Sequence, residues 1–125
     1  MENNNAPQNK FGISQTNPLF VKSDLLAKEA YKITEKFPKH EVFGMTSQLR
    51  RAALSVVLNI VEGFARQSNN EFRRFLLIAF GSLKETGYLL YFAHKQKYIP
   101  SENYLSIEKL IQEITKIIWS IINKK

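Results

Sequence analysis

The sequence contains no cysteine, a single aspartate and two histidines among its 125 residues. The absence of cysteine excludes disulfides, iron–sulfur clusters, thiolate zinc sites and thiol nucleophiles. The shortage of aspartate and histidine leaves little material for a Ser-His-Asp triad, and neither Glu-x-x-His nor His-Glu-x-x-His occurs. We therefore predict a protein that is not an enzyme and that has no cofactor and no metal site.

Long apolar runs are also missing. The longest apolar stretches with little charge, Ala52–Val61 and Phe75–Leu83, are far shorter than the roughly 20 residues that a membrane-spanning helix requires. The first residues show neither the basic region nor the apolar run of a signal peptide. We expect a cytoplasmic protein without membrane contact.

The composition is typical of one globular domain. Hydrophobic residues make up 44% and charged residues 23% of the chain, and the net charge is +7. Residues 1–20 are rich in Asn and Gln, so we predict a flexible N-terminal tail there and a helical domain over residues 21–125. Four apolar residues of the tail are candidates for docking onto that domain: Phe11, Ile13, Leu19 and Phe20.

Four segments have helical periodicity and recognisable ends. The first is predicted at Ser23–Phe37, with Ser23 as its cap and Pro38 after its end. The second begins at a cap formed by Thr46 or Ser47 and reaches about residue 66. The third opens at the Ser-x-x-Glu capping box of residues 68–71 and runs to about residue 95. The fourth follows Pro100.

The connections between these segments are short, and short connections make consecutive helices antiparallel neighbours. We therefore predict an all-α fold, an antiparallel up-down-up-down four-helix bundle, with a three-helix arrangement as the lesser alternative. The β-branched residues of the fourth segment leave a strand as its local alternative.

The second segment, residues 49–66, is apolar around most of its helical circumference. One face is a standard core stripe: Leu49, Ala52, Ala53, Val56, Ile60 and Phe64. A second apolar face consists of Leu54, Val57, Leu58 and Val61. A single small bundle covers one side of each helix, so the second face predicts contact with another copy of the chain. Glycines inside two helices, Gly63 and Gly81, indicate close approach of a neighbouring helix or chain, and at Gly63 a simple loosening of the last helical turns is the alternative.

A polar stripe lies between the two apolar faces. It consists of Arg51, Ser55, Asn59, Glu62 and Arg66. In one interpretation Glu62 and Arg66 form an ordinary exposed ion pair. In the other, which we favour over a catalytic role, Asn59 and Glu62 join a network with Ser82 and Glu85 of the third helix and help to set the oligomeric state.

Positive charge is concentrated in residues 47–98, which carry an excess of five charges. Five arginines lie between Arg50 and Arg74, near the junction of the second and third helices, and guanidinium groups suit phosphate. The candidate nucleic-acid-binding residues are Arg50, Arg73, Arg74, Lys84, Lys95 and Lys97. Structural ion pairing of the same arginines is the alternative, and the aromatic residues at helical spacings are expected in the core rather than on a base-stacking surface.

The central residues resemble a known family. They are Phe37-Pro38-Lys39, then residues 43–52 (FGMTSQLRRA), then Ser55, Asn59-Ile60-Val61-Glu62-Gly63 and Arg66, and then Glu71-Phe72, Phe75-Leu76, Ile78-Ala79, Gly81-Ser82-Leu83 and Glu85. They are similar to those of the four-helix-bundle proteins encoded in intervening sequences of bacterial 23S rRNA genes.

This resemblance implies a homopentamer in which the polar positions of the second and third helices lie near the subunit contacts. It also implies kinship to the accessory proteins of diversity-generating retroelements, which associate with a reverse transcriptase and nucleic acid. We accordingly predict low-specificity binding of RNA or DNA, or of a ribonucleoprotein. A protein-interaction scaffold or accessory subunit without nucleic-acid contact is the alternative.

Overall fold

The computed structural model describes residues 11–124, which form four α-helices. The helices are α1 (Pro18–Thr34), α2 (Met45–Phe64), α3 (Asn69–Lys95) and α4 (Ser101–Ile122), and a 3-10 turn at Lys39–Glu41 follows α1. The described residues contain no strand, so the all-α prediction is confirmed and the fourth segment is a helix.

The helices pack in a four-membered bundle. α2 contacts α1 and α3, and α4 contacts the same two helices from the other side. Arg73, near the start of α3, donates to the carbonyl oxygen of Ile122 at the end of α4. Nε2 of His94, near the end of α3, lies 3.1 Å from the hydroxyl oxygen of Ser101 at the start of α4. These contacts fit the antiparallel order predicted from the short connections.

The core runs along the centre of the bundle and contains the predicted core stripe of α2. Its fully buried large side chains are Ile13, Leu19, Leu26, Leu49, Val56, Ile60, Leu76, Leu83, Thr86, Leu90, Ile114 and Ile118. Burial of these side chains on a fixed face of each helix positions the outward residues of α2 and α3, which matter for function.

The first helix begins earlier and ends earlier than predicted. Asn17 is its cap, since the Asn17 side chain accepts a hydrogen bond of 2.9 Å from the amide of Leu19, and Pro18 fits the first helical position because it has no amide to satisfy. Ser23, the predicted cap, is instead buried within the helix. The helix ends at Thr34, and Phe37 lies in the connection.

The helical domain therefore extends into the segment predicted as a tail. Leu19 is fully buried, and Ile13 is 2% exposed although it precedes the helix. Both insert into the core, and Phe20 packs against it while partly buried, so three of the four predicted docking residues contact the core. Residues 1–10 of the predicted tail lie outside the described residues.

The starts of α2 and α3 are capped differently. Neither Thr46 nor Ser47 caps α2: the helix follows Gly44, and the Glu41 carboxylate accepts a hydrogen bond of 3.0 Å from the amide of Met45. The prediction missed this cap because the capping side chain belongs to the preceding turn. At α3 the predicted cap is confirmed, since the Ser68 hydroxyl accepts a 3.0 Å hydrogen bond from the amide of Glu71.

The two helical glycines have different surroundings. A Cβ on Gly63 would lie 3.1 Å from Cβ of Phe75 and 3.4 Å from the carbonyl oxygen of Phe72, so α2 and α3 approach closely there. A Cβ on Gly81 would meet no atom of residues 11–124 within 4 Å. The predicted close approach is thus confirmed at Gly63, and the described residues do not make it at Gly81.

Candidate nucleic-acid interface

A hydrogen-bonded network joins α2 to α3. The hydroxyls of Ser55 and Ser82 lie 2.9 Å apart, and the side-chain amide of Asn59 donates to the Ser55 carbonyl at 2.8 Å and to the Ser55 hydroxyl at 3.0 Å. The hydroxyl of Thr86 donates to the Ser82 carbonyl at 2.8 Å. Part of the predicted network therefore exists, and it consists of neutral side chains that satisfy one another at a half-buried contact.

The two glutamates of the predicted network lie outside it. Glu62 forms an exposed ion pair with Arg66, which is the simpler of the two interpretations of this pair. Glu85 lines an open groove of about 480 Å³ together with Arg51 and Ser55, and Glu62 does not line that groove. The glutamates are not brought together as paired acid–base catalysis would require. Among residues 11–124 no group of three acidic or histidine side chains could hold a metal ion.

The second apolar face of α2 is narrower than its sequence pattern indicates. Val57 is 7% exposed and Val61 is half-buried, so their own chain covers much of this face. Leu54 and Leu58 remain 37% and 57% exposed. The exposed part of the second apolar face therefore consists of these two leucines and not of the valines.

Four of the five arginines near the α2–α3 junction contact other groups of the protein, and the fifth, Arg51, is exposed and lines the open groove beside Glu85. Arg50 donates to the Thr34 hydroxyl at 2.7 Å, and Arg73 donates to the end of α4. Arg66 and Arg74 both lie over the ring of Phe75, at 4.9 and 4.5 Å, and each pairs with a glutamate four or three residues away.

The pairing of Arg74 with Glu71 shifts the pKa values of both groups. The hydrogen bond from the guanidinium lowers the pKa of Glu71, and the same bond raises the pKa of Arg74. Ion pairing within the chain, the structural alternative, thus describes Arg66 and Arg74. Arg50 and Arg73 donate instead to uncharged oxygen atoms.

The three candidate lysines are placed differently. Lys84, Lys95 and Lys97 are exposed, and within residues 11–124 none of them forms an ion pair. Lys84 and Lys95 share one stripe of α3 with Tyr88 and Tyr91, at successive spacings of four, three and four residues. This row, Lys84-Tyr88-Tyr91-Lys95, is called the α3 row below.

The exposure of aromatic side chains departs from the sequence-based expectation. Phe64, Phe72, Phe75 and Phe80 are half-buried as expected. Tyr88, Tyr91, Phe92 and Trp119 are instead 61%, 46%, 38% and 36% exposed. Helical spacing alone misassigned these four because it shows that residues share a face and does not show whether a neighbouring helix covers that face.

The α3 row borders a groove between α3 and α4, called the α3–α4 groove below. It has a volume of about 550 Å³. Its lining includes three tyrosines, two lysines, a glycine and several polar residues of α4: Tyr88, Tyr91, Tyr104, Lys84, Lys116, Gly87, Glu108, Gln112 and Thr115. The tyrosines and Lys116 are the site residues that the sequence analysis did not single out, although the spacing of the α3 row is a signal that could have indicated them.

The fold defines an all-α protein of the four-helix-bundle class. Residues 16–120 match the model of the 23S rRNA-intervening sequence proteins, so the chain belongs to this family and the resemblance is confirmed. A crystal structure of a protein with unknown function from the S23 ribosomal protein family of Bacteroides thetaiotaomicron VPI-5482 is similar. The TM-score is 0.76 and the identity is 32%, and the match covers 85% of this chain and 99% of that chain.

A comparison with curated proteins found no match. Across residues 11–124 there is no helix with both the length and the apolar character needed to cross a bilayer.

Proposed function

We propose that this protein is a non-enzymatic, cytoplasmic nucleic-acid-binding protein that contacts phosphates with little sequence discrimination. The supporting observation is the set of exposed lysines without ion pairs on and just after α3: Lys84, Lys95 and Lys97. These ammonium groups are available to a phosphate backbone, whereas four of the five arginines of the α2–α3 junction already contact groups of their own chain. Phosphate contacts fix position on the nucleic acid and carry no sequence information.

The backbone at Lys97 adds to this argument. Lys97 adopts a φ of +67°, a left-handed conformation that favours glycine. The amide of Lys97 donates to the His94 carbonyl at 2.9 Å, and the amide of Tyr98 donates to the Ala93 carbonyl at 2.9 Å. These bonds terminate α3 in the way that glycine usually does. A lysine at this position is explained by a use for its charge beside Lys95.

A binding titration at two salt concentrations tests the proposal. Mixed-sequence RNA and DNA should shift in mobility at about 50 mM salt and much less at about 200 mM. The triple variant Lys84→Gln/Lys95→Gln/Lys97→Gln should bind at least tenfold more weakly. For single strands it should also flatten the logarithmic salt slope by about two, because each phosphate contact contributes about 0.7.

The matched control removes three other exposed lysines, in the variant Lys28→Gln/Lys109→Gln/Lys124→Gln. These residues lie on α1, on α4 and after α4, outside the α3 row and outside the lining of the α3–α4 groove. The control has the same net charge as the test variant and should keep most of the binding. Equal weakening of both variants, or no binding at low salt by the unmodified protein, would contradict the proposal.

Self-association is the second part of the proposal. Four large apolar side chains are exposed on two neighbouring helices, Leu54 and Leu58 on α2 and Leu77 and Ile78 on α3. Exposed apolar surface of this kind supports an interaction site. A second copy of this chain is the occupant that the family resemblance favours, with a homopentamer as the expected assembly. In a symmetric assembly, each subunit would contribute one copy of the α3 row, so the positive charge would repeat around the assembly.

A protein-interaction scaffold is the alternative function, and the same exposed apolar residues favour it. A reverse transcriptase or a ribonucleoprotein is the kind of partner that the family resemblance suggests. Recovery of one protein partner in a pulldown that nuclease treatment leaves unchanged, together with absence of a mobility shift, would favour this alternative.

A further inference from the structure

The lining of the α3–α4 groove has one position without a side chain, Gly87. A Cβ on Gly87 would have one heavy atom within 4 Å, Cδ1 of Ile111 at 3.9 Å, so there is space for a side chain at this position. The volume of the groove is about 550 Å³. This lies within the range of about 300–1,000 Å³ found for small-ligand sites in proteins.

The walls of the groove present aromatic surface. Tyr88 and Tyr91 line one wall, with their ring centroids 6.2 Å apart. Tyr104 lines the other wall and stacks on His94 at a centroid distance of 4.5 Å and an interplanar angle of 9°. This stacking fixes the orientation of the Tyr104 ring. Burial, with the nearby charge of Glu108 as a smaller cause, raises the pKa of Tyr104, so its hydroxyl stays protonated and can donate a hydrogen bond.

Positive charge borders both walls. Lys84 on α3 and Lys116 on α4 line the groove from opposite helices. Lys95 lies over the Tyr91 ring at 5.6 Å and continues the charge along α3. Flat aromatic walls between ammonium groups match a ligand that combines a flat ring with phosphate, because the ring stacks on tyrosine while the phosphates contact lysine.

We infer that the α3–α4 groove binds unpaired bases of single-stranded nucleic acid, which stack on Tyr88 and Tyr91 while the adjacent phosphates contact Lys84, Lys95 and Lys116. This inference rests on the proposed function and deepens it by naming the form of nucleic acid. Glu108 and Gln112 offer hydrogen-bonding groups to base edges from the α4 wall. Stacking on tyrosine accepts every base, so low sequence discrimination is retained.

Duplex nucleic acid fits this site poorly. Bases in a duplex are already stacked and paired, and extruding one costs a few kcal/mol. A duplex can therefore reach the lysines with its phosphates but cannot place bases in the groove without that cost. Single strands are expected to bind at least tenfold more tightly than a duplex of the same sequence.

Fluorescence anisotropy with labelled single-stranded RNA, single-stranded DNA and the matching DNA duplex tests the inference. The variant Tyr88→Leu/Tyr91→Leu should lose about 5- to 150-fold in affinity for single strands, the equivalent of one stacked base, with little change in salt slope. Tyr88→Phe/Tyr91→Phe keeps the rings and should bind normally. Tyr31→Leu, an exposed tyrosine of α1, is the matched control.

A second pair of variants leaves every tyrosine and lysine in place. Gly87→Leu adds a side chain to the lining of the groove and should weaken single-strand binding, whereas Gly81→Leu adds the same side chain to open surface on the same helix. Leucine favours helix over glycine, so both variants should fold. Circular dichroism and thermal melting check this.

Two results would overturn the inference, and they are distinguishable from each other. Equal binding of single strands and duplex, unaffected by the tyrosine and Gly87 substitutions, would remove the stacking site and leave the proposed phosphate binding standing. Absence of binding to all three nucleic acids at low salt would remove the proposed function and this inference together.

Discussion

The Tyr98 hydroxyl donates a hydrogen bond of 2.8 Å to the Glu41 carboxylate, and this bond joins two connecting segments that are 57 residues apart in sequence. The same carboxylate caps α2 through the amide of Met45. A Cβ on Gly44 would lie 2.7 Å from Oε1 of Glu41, so glycine at that position leaves room for the capping carboxylate. One side chain thus fixes both the start of α2 and the position of the α3–α4 connection.

This arrangement predicts an acid-sensitive contribution to stability. The hydrogen bonds from Met45 and Tyr98 lower the pKa of Glu41 from its ordinary value of 4.5. The charged carboxylate therefore stabilises the folded state above about pH 4.5, and this contribution is lost as the pH falls through the lowered pKa. In urea denaturation, the step from about pH 6 to about pH 3 should destabilise Glu41→Gln less than the unmodified protein.

Tyr98→Phe removes one of the two donors and serves as the partial variant. It should reduce the pH-dependent difference without abolishing it, since the amide of Met45 still donates to Glu41. An identical loss of stability on acidification in all three proteins would show that Glu41 is not the group responsible.

The hydrogen-bonded network between α2 and α3 leads us to expect small losses of folding stability that do not add when two of its residues are changed together. Ser82→Ala and Asn59→Ala each remove a hydrogen bond to Ser55, and each should lower the free energy of unfolding by about 0.5–1.5 kcal/mol. The double variant should lose less than the sum because both bonds share Ser55. Ser106→Ala, at an exposed position on α4, is the control and should stay within about 0.5 kcal/mol. Full additivity in urea denaturation would argue against a connected network.

Alanine substitution of the two helical glycines, Gly63 and Gly81, should change the free energy of unfolding in opposite directions. Gly81→Ala should raise the free energy of unfolding by up to about 1 kcal/mol, because alanine favours helix and open space surrounds the new methyl group. Gly63→Ala should lower it, since the methyl group would press on Cβ of Phe75 and the carbonyl of Phe72. Thermal melting of both variants provides the measurement. Stabilisation by Gly63→Ala would show that α3 can move away at little cost.

If the protein self-associates through the exposed leucines of α2, aspartate should have different effects at Leu58 and at Val57. At Leu58 it should affect assembly, and at Val57 it should affect the stability of the fold. Leu58→Asp changes an exposed side chain and should dissociate the assembly while changing the stability of the subunit by about 0.5 kcal/mol or less. Val57→Asp buries a charge and should destabilise the fold itself by about 3 kcal/mol or more. Sedimentation at micromolar concentration should show the unmodified protein several-fold heavier than 14.5 kDa. A stable monomer would refute self-association.

The left-handed backbone of Lys97 leads us to expect that a substitution there changes stability and nucleic-acid binding in opposite directions. Lys97→Gly should stabilise the fold by up to about 1 kcal/mol, because glycine adopts the left-handed conformation freely. The same change should weaken nucleic-acid binding, since it removes one exposed positive charge. Thermal melting and a mobility shift on the same preparation measure the two effects. Unchanged binding by a stabilised Lys97→Gly variant would show that the charge of Lys97 is not used.

Much of the fold follows from local patterns in the sequence. The core stripe of α2, the serine cap of α3 and the helical character of α4 each depend on residues within a few positions of one another, so the sequence alone specified them. The starts of α1 and α2 were misplaced. For α1, both Asn17 and Ser23 are suitable capping residues, and Asn17 is the one that caps the helix. For α2, the Glu41 side chain reaches the amide of Met45 only because the turn before the helix places it there.

The candidate site depended far more on tertiary contacts. The sequence determined that residues 47–98 carry the excess positive charge and that α2 has apolar residues on two faces. Only the tertiary structure decided that Arg50 and Arg73 donate to groups of other helices, that Val57 is buried while Leu58 is exposed, and that Tyr88 and Tyr91 border a groove. Helical spacing fixes which side chains share a face, but the helix that packs against that face decides which of them remain available.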